Sequence, residues 1–404
     1  MGSMNDPITL RSGLVLAHRL AKAATSEGLA RRGDPTPELE HLYDTWSRGG
    51  AALIVTGNTT ISRRHRERMG NVVLDARTDR AALARLAAAA KRAGNAALVQ
   101  LCHPGRQTSR FVANDPVAPS AGPAVAMLGA FARPRALREE EIAAIRDAFV
   151  TGAEMARDAG FDGVQLHAAH GFLLSQFLSA RINRREDAWG GTIEGRARLL
   201  IELVERTRAA CGARFTIAVK LDAPDPERGH LTHADALAVI ALLERAGIDL
   251  LEISGGDVER ARMLGLGDGD DTPREGYFAD VAQAAKRVTG AAVMATGGWR
   301  SRAAIDAAIA RGAIDLAGMA RPLCVEPDLP RRLLRGEADR AALHERPKAP
   351  GDLAAAGETG YFAWRLGALA RGTQPRHDIS PIHAALDYVA TDAVLGARRA
   401  LFGE

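Results

Sequence analysis

The amino-acid sequence predicts an α/β protein, a (β/α)8 or TIM barrel with a helical extension at its C-terminal end. Short apolar runs alternate with helical stretches eight times over about 310 residues, which is the pattern of a parallel barrel. Polar residues recur where the apolar runs end, and in such a barrel these ends meet at one mouth. The main alternative, a doubly wound sheet, usually has a glycine-rich turn after its first strand, whereas this chain has Ala23-Ala24-Thr25-Ser26 there.

The individual elements follow from the same apolar patterns, taken in chain order. The candidate strands are Arg19–Thr25, Ala51–Thr56, Ala96–Leu101, Gly163–His167, Arg214–Lys220, Asp249–Ser254, Ala291–Thr296 and Ile314–Gly318. The candidate helices are Pro37–Ser47, Thr78–Ala93, Glu139–Ala159, Phe172–Leu178, Ile193–Ala210, His233–Ala246, Phe278–Val288 and Arg302–Ala310. Residues that favour helix starts support these assignments, because Thr36 precedes Pro37 and Ser301 precedes Arg302.

Three long connections interrupt this alternation, and each of them follows a predicted strand end. They are Pro104–Pro134, Arg181–Gly195 and Gly255–Tyr277, the last of which carries the acidic residues Asp268, Asp270 and Asp271. Because they leave from the same ends of the strands, we expect them to surround one mouth of the barrel and to form a lid.

The C-terminal segment, residues 337–404, differs from residues 1–336, which we assign to the barrel. It is rich in Arg and Ala, has little strand character, and predicts two or three short helices. We interpret it as an appendage that could provide the contact of a homodimer, not as a second catalytic domain.

Composition limits the classes of function. The chain has 404 residues and a net charge of +4 that is dispersed along it, which does not indicate a nucleic-acid partner. Its three cysteines have no CxxC spacing, as expected in a reducing compartment. No apolar run approaches the roughly 20 residues of a membrane span, and the N-terminal MGSMNDP lacks the apolar core of a signal peptide. We therefore expect a cytoplasmic protein that does not bind membranes.

Two histidines, His167 and His170, follow the fourth predicted strand. As metal ligands they lack an HExxH motif and a cysteine or carboxylate at companion spacing, so we assign no metal site. They could instead be packed histidines with satisfied hydrogen bonds. The interpretation that we favour is a pair of N–H donors to one substrate oxygen, which would polarise a carbonyl and hold the negative charge that develops when hydride adds at its β-carbon.

Lys220 and Gln100 end the fifth and third predicted strands. An ammonium group at the end of an apolar strand needs a partner, and a flavin supplies one, since its reduced ring carries negative charge near N1. Gln100 offers a donor and an acceptor that match the imide edge of the ring. The alternatives are an ion pair between Lys220 and a carboxylate such as Asp222, and a strand-end amide satisfied by the protein.

Glycines follow the seventh predicted strand, and an arginine follows the eighth. Gly297 and Gly298 allow backbone N–H groups to approach a phosphate closely, and the guanidinium of Arg321 can bind two of its oxygens. The alternative interpretation is a tight turn at the glycines and a surface ion pair at Arg321.

With these residues in place, the chain resembles the old yellow enzyme family, FMN-dependent NAD(P)H:flavin oxidoreductases that reduce activated C=C bonds. The resemblance runs from about Ile8 to about Pro330 and is carried by LVLAHRLAKAATSEG, VQLCHPGRQT, HAAHGFLLSQFLSARINRREDAWGGTIEGRARL, TGGW and MARPL. The fourth-strand motif is the most specific of these. The HPGRQ segment and the HAAH pair are most similar to the bacterial branch of the family.

The resemblance implies FMN as the cofactor and NADH or NADPH as the reductant, in a ping-pong reaction that reduces an α,β-unsaturated carbonyl compound. It implies that Lys220 lies near N1 of the ring and that His167 and His170 bind the substrate oxygen. The other cofactor residues that it implies are Ala23, Ala24, Thr25, Ser26, Gly57 and Gln100 around the ring, with Gly297, Gly298, Ala320 and Arg321 at the phosphate.

Two departures from the family pattern concern the proton donor. Phe172 stands where the family usually has a tyrosine that protonates the α-carbon, and Gly28 stands where the bacterial branch has a second tyrosine. Ser26 also replaces a Cys or Thr that commonly tunes the flavin. A flavin-dependent isomerase or dehydrogenase of a specialised metabolite is therefore the second hypothesis. A flavin enzyme acting on tRNA, suggested only by the basic pI, and a non-catalytic flavin-binding protein are further alternatives.

Overall fold

The computed structural model describes residues 2–126, 129–225, 230–256, 275–342, 352–373 and 379–402. Within them, eight strands pair in parallel, each with the next along the chain, and the eighth pairs with the first, so that the barrel closes. They are β1 (Leu20–Lys22), β2 (Leu53–Val55), β3 (Ala96–Cys102), β4 (Gly163–Ala168), β5 (Thr216–Asp222), β6 (Leu250–Ser254), β7 (Ala292–Thr296) and β8 (Leu316–Met319). The predicted (β/α)8 fold class is confirmed.

The helices follow the strands as predicted. They are α1 (Pro37–Arg48), α2 (Arg80–Ala90), α3 (Glu139–Asp158), α4 (Leu173–Leu178), α5 (Ile193–Cys211), α6 (His233–Ala246), α7 (Ala279–Ala285), α8 (Arg302–Ala310), α9 (Leu329–Arg335), α10 (Asp352–Ala370) and α11 (Pro381–Phe402). Both expected caps form, because the hydroxyls of Thr36 and Ser301 accept hydrogen bonds from the first turns of α1 and α8.

Shorter elements decorate the barrel at its two ends. An antiparallel pair, Ile8–Thr9 with Val15–Leu16, precedes β1. Leu16 packs with inward-facing residues such as Leu53 and Leu250, so apolar side chains fill that part of the barrel. The remaining short elements are the strands Thr59–Thr60, Val72–Val73, Val117–Ala118 and Arg135–Ala136 and the 3-10 turns Gly105–Gln107 and Arg321–Cys324.

The C-terminal extension differs from the prediction of short helices, because α10 has 19 residues and α11 has 22. The two helices pack closely, since a Cβ atom on Gly360 would lie 2.2 Å from the carbonyl oxygen of Ala384. Arg365 of α10 is buried and donates to the carbonyl oxygen of Cys324, just after β8. The extension is therefore anchored beside the strand end where a phosphate site was predicted.

The long connections reach the mouth of the barrel to different extents. A cavity opens at this mouth. Arg110 and Phe131, from the connection after β3, line it, whereas no residue of 181–195 does. Most of the connection after β6 lies outside the described residues, including Asp268, Asp270 and Asp271. Among the described helices, none combines the length and the hydropathy of a membrane-spanning segment.

Candidate active site

A cavity of about 810 Å³ lies at the C-terminal ends of the barrel strands. This volume falls within the roughly 300–1,000 Å³ of ligand-binding sites. Most of the predicted site residues line it: Ala24, Thr25, Ser26, Gln100, His167, His170, Phe172, Lys220, Gly297, Gly298, Ala320 and Arg321. The closed barrel thus brings residues from almost every strand end to one place.

Two predicted cofactor residues, Ala23 and Gly57, are not part of this lining. Ala23 is buried, and its N–H group donates to the carbonyl oxygen of Met319 at 2.8 Å. The N–H group of Gly57 donates to Glu27 Oε1 at 3.0 Å and to Tyr43 Oη at 2.9 Å. Both residues are bonded to neighbouring parts of the protein and do not face the cavity. A contact from either of them to a cofactor stays a prediction.

Lys220 belongs to a polar chain that crosses the barrel. Its Nζ atom lies 3.0 Å from Glu252 Oε1, and both side chains are buried. Gln165 donates to Glu252 Oε2 at 2.6 Å and accepts from Gln100 Nε2 at 2.7 Å. The pairing of Lys220 with a carboxylate that we considered is real, but the partner is Glu252 and not Asp222. Parallel pairing places Lys220 opposite Glu252 on the adjacent strand, which explains the choice.

The two glycines after β7 form a cradle in which side chains would not fit. A Cβ atom on Gly297 would lie 2.8 Å from the Phe278 ring, and Gly298 has φ +77°, a conformation that favours glycine. Arg321 lines the same cavity, and its Nη1 atom lies 3.3 Å from Glu358 Oε1 of α10. The arginine is therefore ion-paired, as one alternative interpretation expected, but within the cavity wall and with the extension.

The two histidines meet in the wall of the cavity. His167 Nε2 lies 3.1 Å from His170 Nδ1. Their outer nitrogens are also bonded, with His167 Nδ1 at 3.0 Å from Asn58 Oδ1 and His170 Nε2 at 2.9 Å from Ser254 Oγ. Burial, and then the nearby charge of Lys220, lowers the pKa of His170 to about 3. Burial likewise lowers the pKa of His167 well below its usual value, so both rings are neutral at physiological pH.

The backbone of His170 adopts the left-handed conformation, with φ +59°, which is uncommon for residues other than glycine. A carboxylate of β5 holds it there, since Asp222 Oδ1 accepts from the His170 N–H group at 2.8 Å. The other oxygen of Asp222 accepts from Ser175 Oγ at 2.6 Å. The position of the second imidazole thus depends on a strained turn that a neighbouring strand stabilises.

The structure shows what surrounds the two positions, Phe172 and Gly28, at which the resemblance led us to expect tyrosines. The Phe172 ring packs against the His167 ring with centroids 4.5 Å apart, so an apolar surface stands where a hydroxyl was expected. Next to Gly28 lies the guanidinium of Arg68, which is nearly fully buried. Arg68 lies 3.5 Å from Asp392 Oδ1 and 4.2 Å from the centroid of the Tyr388 ring, both of which belong to α11.

The extension therefore forms one wall of the cavity. Its contributions from α10 are Thr359, Tyr361, Phe362, Ala363 and Leu366, and those from α11 are Tyr388, Val389 and Asp392. Its proposed role as a homodimer contact stays a prediction, while its place beside the cavity is a structural fact.

Comparison with known proteins identifies the family. Residues 3–340 match the NADH:flavin oxidoreductase / NADH oxidase family. The chain belongs to this family. The NADH-dependent flavin oxidoreductase iliE of Hypocrea jecorina (strain QM6a) is 35% identical over 354 residues, which cover 81% of this chain and 88% of that protein.

Solved structures agree with this assignment. The old yellow enzyme homologue from Zymomonas mobilis superposes with a TM-score of 0.71 and 27% identity, over 85% of this flavin oxidoreductase and 95% of the homologue. A 2-naphthoyl-CoA reductase superposes with a TM-score of 0.80, over 95% of this chain and 57% of the reductase chain. Its sequence identity is 22%, so this similarity shows the shared fold alone. The suspected resemblance to old yellow enzymes is confirmed.

The cofactors of this flavin oxidoreductase are FMN and NADH or NADPH. The donors in the cavity fit a flavin nucleotide, because a cation and an amide lie in one region and a glycine cradle and a guanidinium in another. The hydroxyl of Thr296, which lines the cavity, is buried without a hydrogen-bond partner among the described residues. A buried polar group of this kind calls for a ligand atom. The binding roles assigned to individual residues stay predictions.

Sequence reasoning missed several polar residues of the cavity wall in this flavin oxidoreductase. Glu67 and Arg68 come from the connection after β2, and Tyr388 and Asp392 come from α11. The charged run RRHRER, which contains Glu67 and Arg68, has the composition of a solvated loop. Its position after a barrel strand was the one signal that could have marked it as part of the site.

Proposed function

We propose that this flavin oxidoreductase reduces the C=C bond of an α,β-unsaturated carbonyl compound, with NADH or NADPH as the reductant. The observation that carries the proposal is the meeting of two neutral imidazoles in the wall of the cavity, with 3.1 Å between His167 Nε2 and His170 Nδ1. A carbonyl oxygen bound there would receive charge-stabilising hydrogen bonds as the double bond takes up hydride.

Each part of the proposal has a residue of this chain to perform it. Bound FMN supplies the hydride. Lys220 places an ammonium group in the same cavity, where it would stabilise negative charge on a reduced ring, and Gln100 would orient the ring through its amide. Phe172 excludes water from one side of His167. A small, flat, largely apolar carbonyl compound suits this surface.

A second candidate function is favoured by the same phenylalanine. Because Phe172 brings no hydroxyl to the histidines, protonation of the α-carbon must come from water or from another residue. An isomerase or dehydrogenase of a specialised metabolite would depend less on rapid protonation of the α-carbon, so we retain this function as the alternative.

The buried position of Cys102 supports a small-molecule substrate and not a nucleic acid. Flavin chemistry on tRNA would need a cysteine that acts as an acid, and Cys102 is fully buried in β3 and absent from the cavity lining. Burial also raises the pKa of its thiol well above the usual value. This argues against the tRNA alternative and in favour of a small enone, and we further propose that the enzyme acts in the cytoplasm.

The test is an anaerobic two-step experiment on the FMN-loaded protein. NADH or NADPH should bleach the flavin, and 2-cyclohexenone should then restore its absorbance and yield cyclohexanone. His167→Ala and His170→Ala should each bind a phenolic ligand more weakly, by up to about tenfold, as expected for a lost hydrogen bond. A reduced flavin that oxygen reoxidises but no member of an enone panel does would refute the proposal and favour the alternative.

A further inference from the structure

The two histidines belong to a chain of hydrogen bonds whose direction is determined at one end. Asn58 Nδ2 donates to Glu67 Oε2, so the amide presents its oxygen to His167 Nδ1 at 3.0 Å. An amide oxygen only accepts, and therefore His167 carries its proton on Nδ1. His167 Nε2 is then the acceptor for His170 Nδ1, and His170 Nε2 accepts from Ser254 Oγ.

This arrangement leaves His167 unable to donate to a substrate. A neutral imidazole has one ring proton, and here that proton points to Asn58. For both histidines to donate to one carbonyl oxygen, the proton of His167 must sit on Nε2, and Nδ1 must accept a hydrogen bond. Asn58 can supply that bond only if its amide turns, so that its oxygen faces Glu67.

A turned amide places a condition on Glu67. The oxygen of Asn58 would then need a donor, and a carboxyl group donates only when it is protonated. Glu67 is half-buried, lines the cavity and accepts a hydrogen bond from Ser26 Oγ at 3.1 Å. Burial raises the pKa of its carboxyl above the usual value, although the hydrogen bond from Asn58 and the charge of Arg68 act against this.

We propose that Glu67 is a positioning residue that sets, through Asn58, which nitrogen of His167 carries the proton, and that the protonated carboxyl is the carbonyl-binding form of the site. The inference rests on the proposed function, because it explains how the pair would hold a carbonyl. It assigns Glu67 no contact with the reacting atoms. The charged and titratable groups that face this chain among the described residues are Arg68, Asp392, Tyr388 and Cys102 around Glu67, and Lys220 and Asp222 beside the histidines.

The sign of the pH dependence follows from this linkage. At a pH below the folded-state pKa of Glu67, both imidazoles donate and a carbonyl binds well. As the pH rises through that value, the proton of His167 returns to Nδ1. The unprotonated Nε2 then faces the carbonyl oxygen, and one hydrogen bond to that oxygen is lost. The loss of one neutral hydrogen bond weakens binding by about tenfold at most, so the affinity should fall to a lower plateau rather than to zero.

The first experiment observes the proton of His167 directly, in FMN-loaded protein labelled with ¹⁵N-histidine. The imidazole nitrogen shifts of His167, assigned by their disappearance in His167→Asn, should change from Nδ1–H at high pH to Nε2–H at low pH. In Glu67→Gln, whose amide does not titrate, the shifts should not change with pH. Glu67→Asp should restore a titration.

The second experiment measures binding of cyclohexanone, a carbonyl compound without a titrating group, from the flavin absorbance between about pH 4 and 9, a range that begins below the usual pKa of a glutamate. Wild-type affinity should fall about tenfold with rising pH. The affinity of Glu67→Gln and of Asn58→Leu should be independent of pH. Asp387→Asn removes one exposed charge from α11 and should behave as wild type.

The outcomes separate this inference from the proposed function. A pH-dependent tautomer of His167 in Glu67→Gln, or an unchanging tautomer in the wild type, would overturn the role of Glu67 whatever the enzyme reduces. A tautomer that follows Glu67 in a protein that reduces no enone would leave the inference standing and refute the proposed function. If Glu67→Gln does not fold, Asn58→Leu decides the question by the same two measurements.

Discussion

The guanidinium of Arg68 occupies the space that a side chain at position 28 would need. A Cβ atom built on Gly28 would lie 2.4 Å from Arg68 Cζ and 2.5 Å from Nη1. Arg68 in turn is clamped between Asp392 and the ring of Tyr388. At Gly28, where the family resemblance led us to expect a tyrosine, the guanidinium of Arg68 takes the space of a side chain. This exchange ties α11 to the mouth of the barrel through Arg68.

Substitution of Gly28 should therefore lower the free energy of unfolding by more than the strain of its backbone conformation alone. Gly28 has φ +69°, and Gly94 has φ +83° with nothing within 4 Å of the point where a Cβ atom would lie, so Gly94→Ala reports the conformational strain alone. That strain is about 1–2 kcal/mol. Gly28→Ala should lower the free energy of unfolding by about 1–3 kcal/mol more, because it also displaces Arg68. Urea unfolding measures both, and equal losses would contradict the exchange.

The ion pair between Arg68 and Asp392 should hold the extension in place. Both side chains are about 95% buried, with exposures of 4% and 5%, so Asp392→Ala removes the carboxylate that faces a buried guanidinium. The expected cost is about 3–5 kcal/mol, with faster hydrogen exchange along α11. The double variant Arg68→Met/Asp392→Leu should recover most of the loss. Asp387→Asn, on the exposed face of α11, should change stability by less than about 0.5 kcal/mol.

Lys220 and Glu252 should have opposite effects on the midpoint potential of bound FMN. Glu252 lies 3.0 Å from the ammonium group and offsets its charge. Glu252→Gln should therefore raise the midpoint potential of bound FMN, and Lys220→Met should lower it. A change of about 1.4 kcal/mol in the stability of the reduced form corresponds to roughly 30 mV. A redox titration measures both variants, with Glu244→Gln on α6 as the control. Shifts of the same sign would show that Lys220 does not act on the ring.

Replacement of Phe172 should reveal whether the missing hydroxyl limits reduction. Phe172 is 6% exposed and packs on the His167 ring. If proton delivery is slow in the wild type, Phe172→Tyr should accelerate reoxidation of the reduced flavin by 2-cyclohexenone by about 10²–10⁴, the usual worth of a positioned acid. Phe172→Leu, which adds no hydroxyl, should give no gain. An unchanged rate for the tyrosine variant would mean that another group already delivers the proton.

His170 should make the protein sensitive to acid. Its pKa is lowered to about 3 by burial and by Lys220, so the unfolded chain takes up a proton below about pH 6.5 that the folded protein does not. Stability is complete above that pH and falls toward pH 3 by about 1.4 kcal/mol per pH unit for this one site. His170→Asn should remove this part of the slope in urea unfolding, and His383→Asn, at an exposed position, should not. Equal slopes in the wild type and His170→Asn would contradict the assignment.

Local patterns were sufficient for the elements of the barrel. The predicted bounds of α6 and α8 match the structure, because Thr232 and Ser301 cap their first turns and Gly247 ends α6 in the left-handed conformation. These signals act within a few residues of each helix end. The extension was harder to predict, since α10 and α11 carry few such signals and depend on packing against each other and the barrel.

The sequence predicted the site residues that directly follow barrel strands. It did not predict which side chains from other parts of the chain bond to them. His167, His170, Lys220 and Gln100 were placed at one mouth from their positions alone. The partner of Lys220 was not, because Asp222 is nearer in the sequence and strand register decides the pairing. The network around Glu67 was also missed, since charged residues in a polar connection resemble a solvent-exposed loop.

The order of residues along this chain was enough to establish the barrel, the family and the residues gathered at its mouth. Only the folded arrangement decided which carboxylate neutralises Lys220, which nitrogen of His167 holds a proton, and that Asp392 closes the wall beside Gly28. The reason is physical. Apolar periodicity and helix caps can be read from near neighbours in the sequence. A buried charge or a hydrogen-bond direction depends on the distant groups that burial brings next to it.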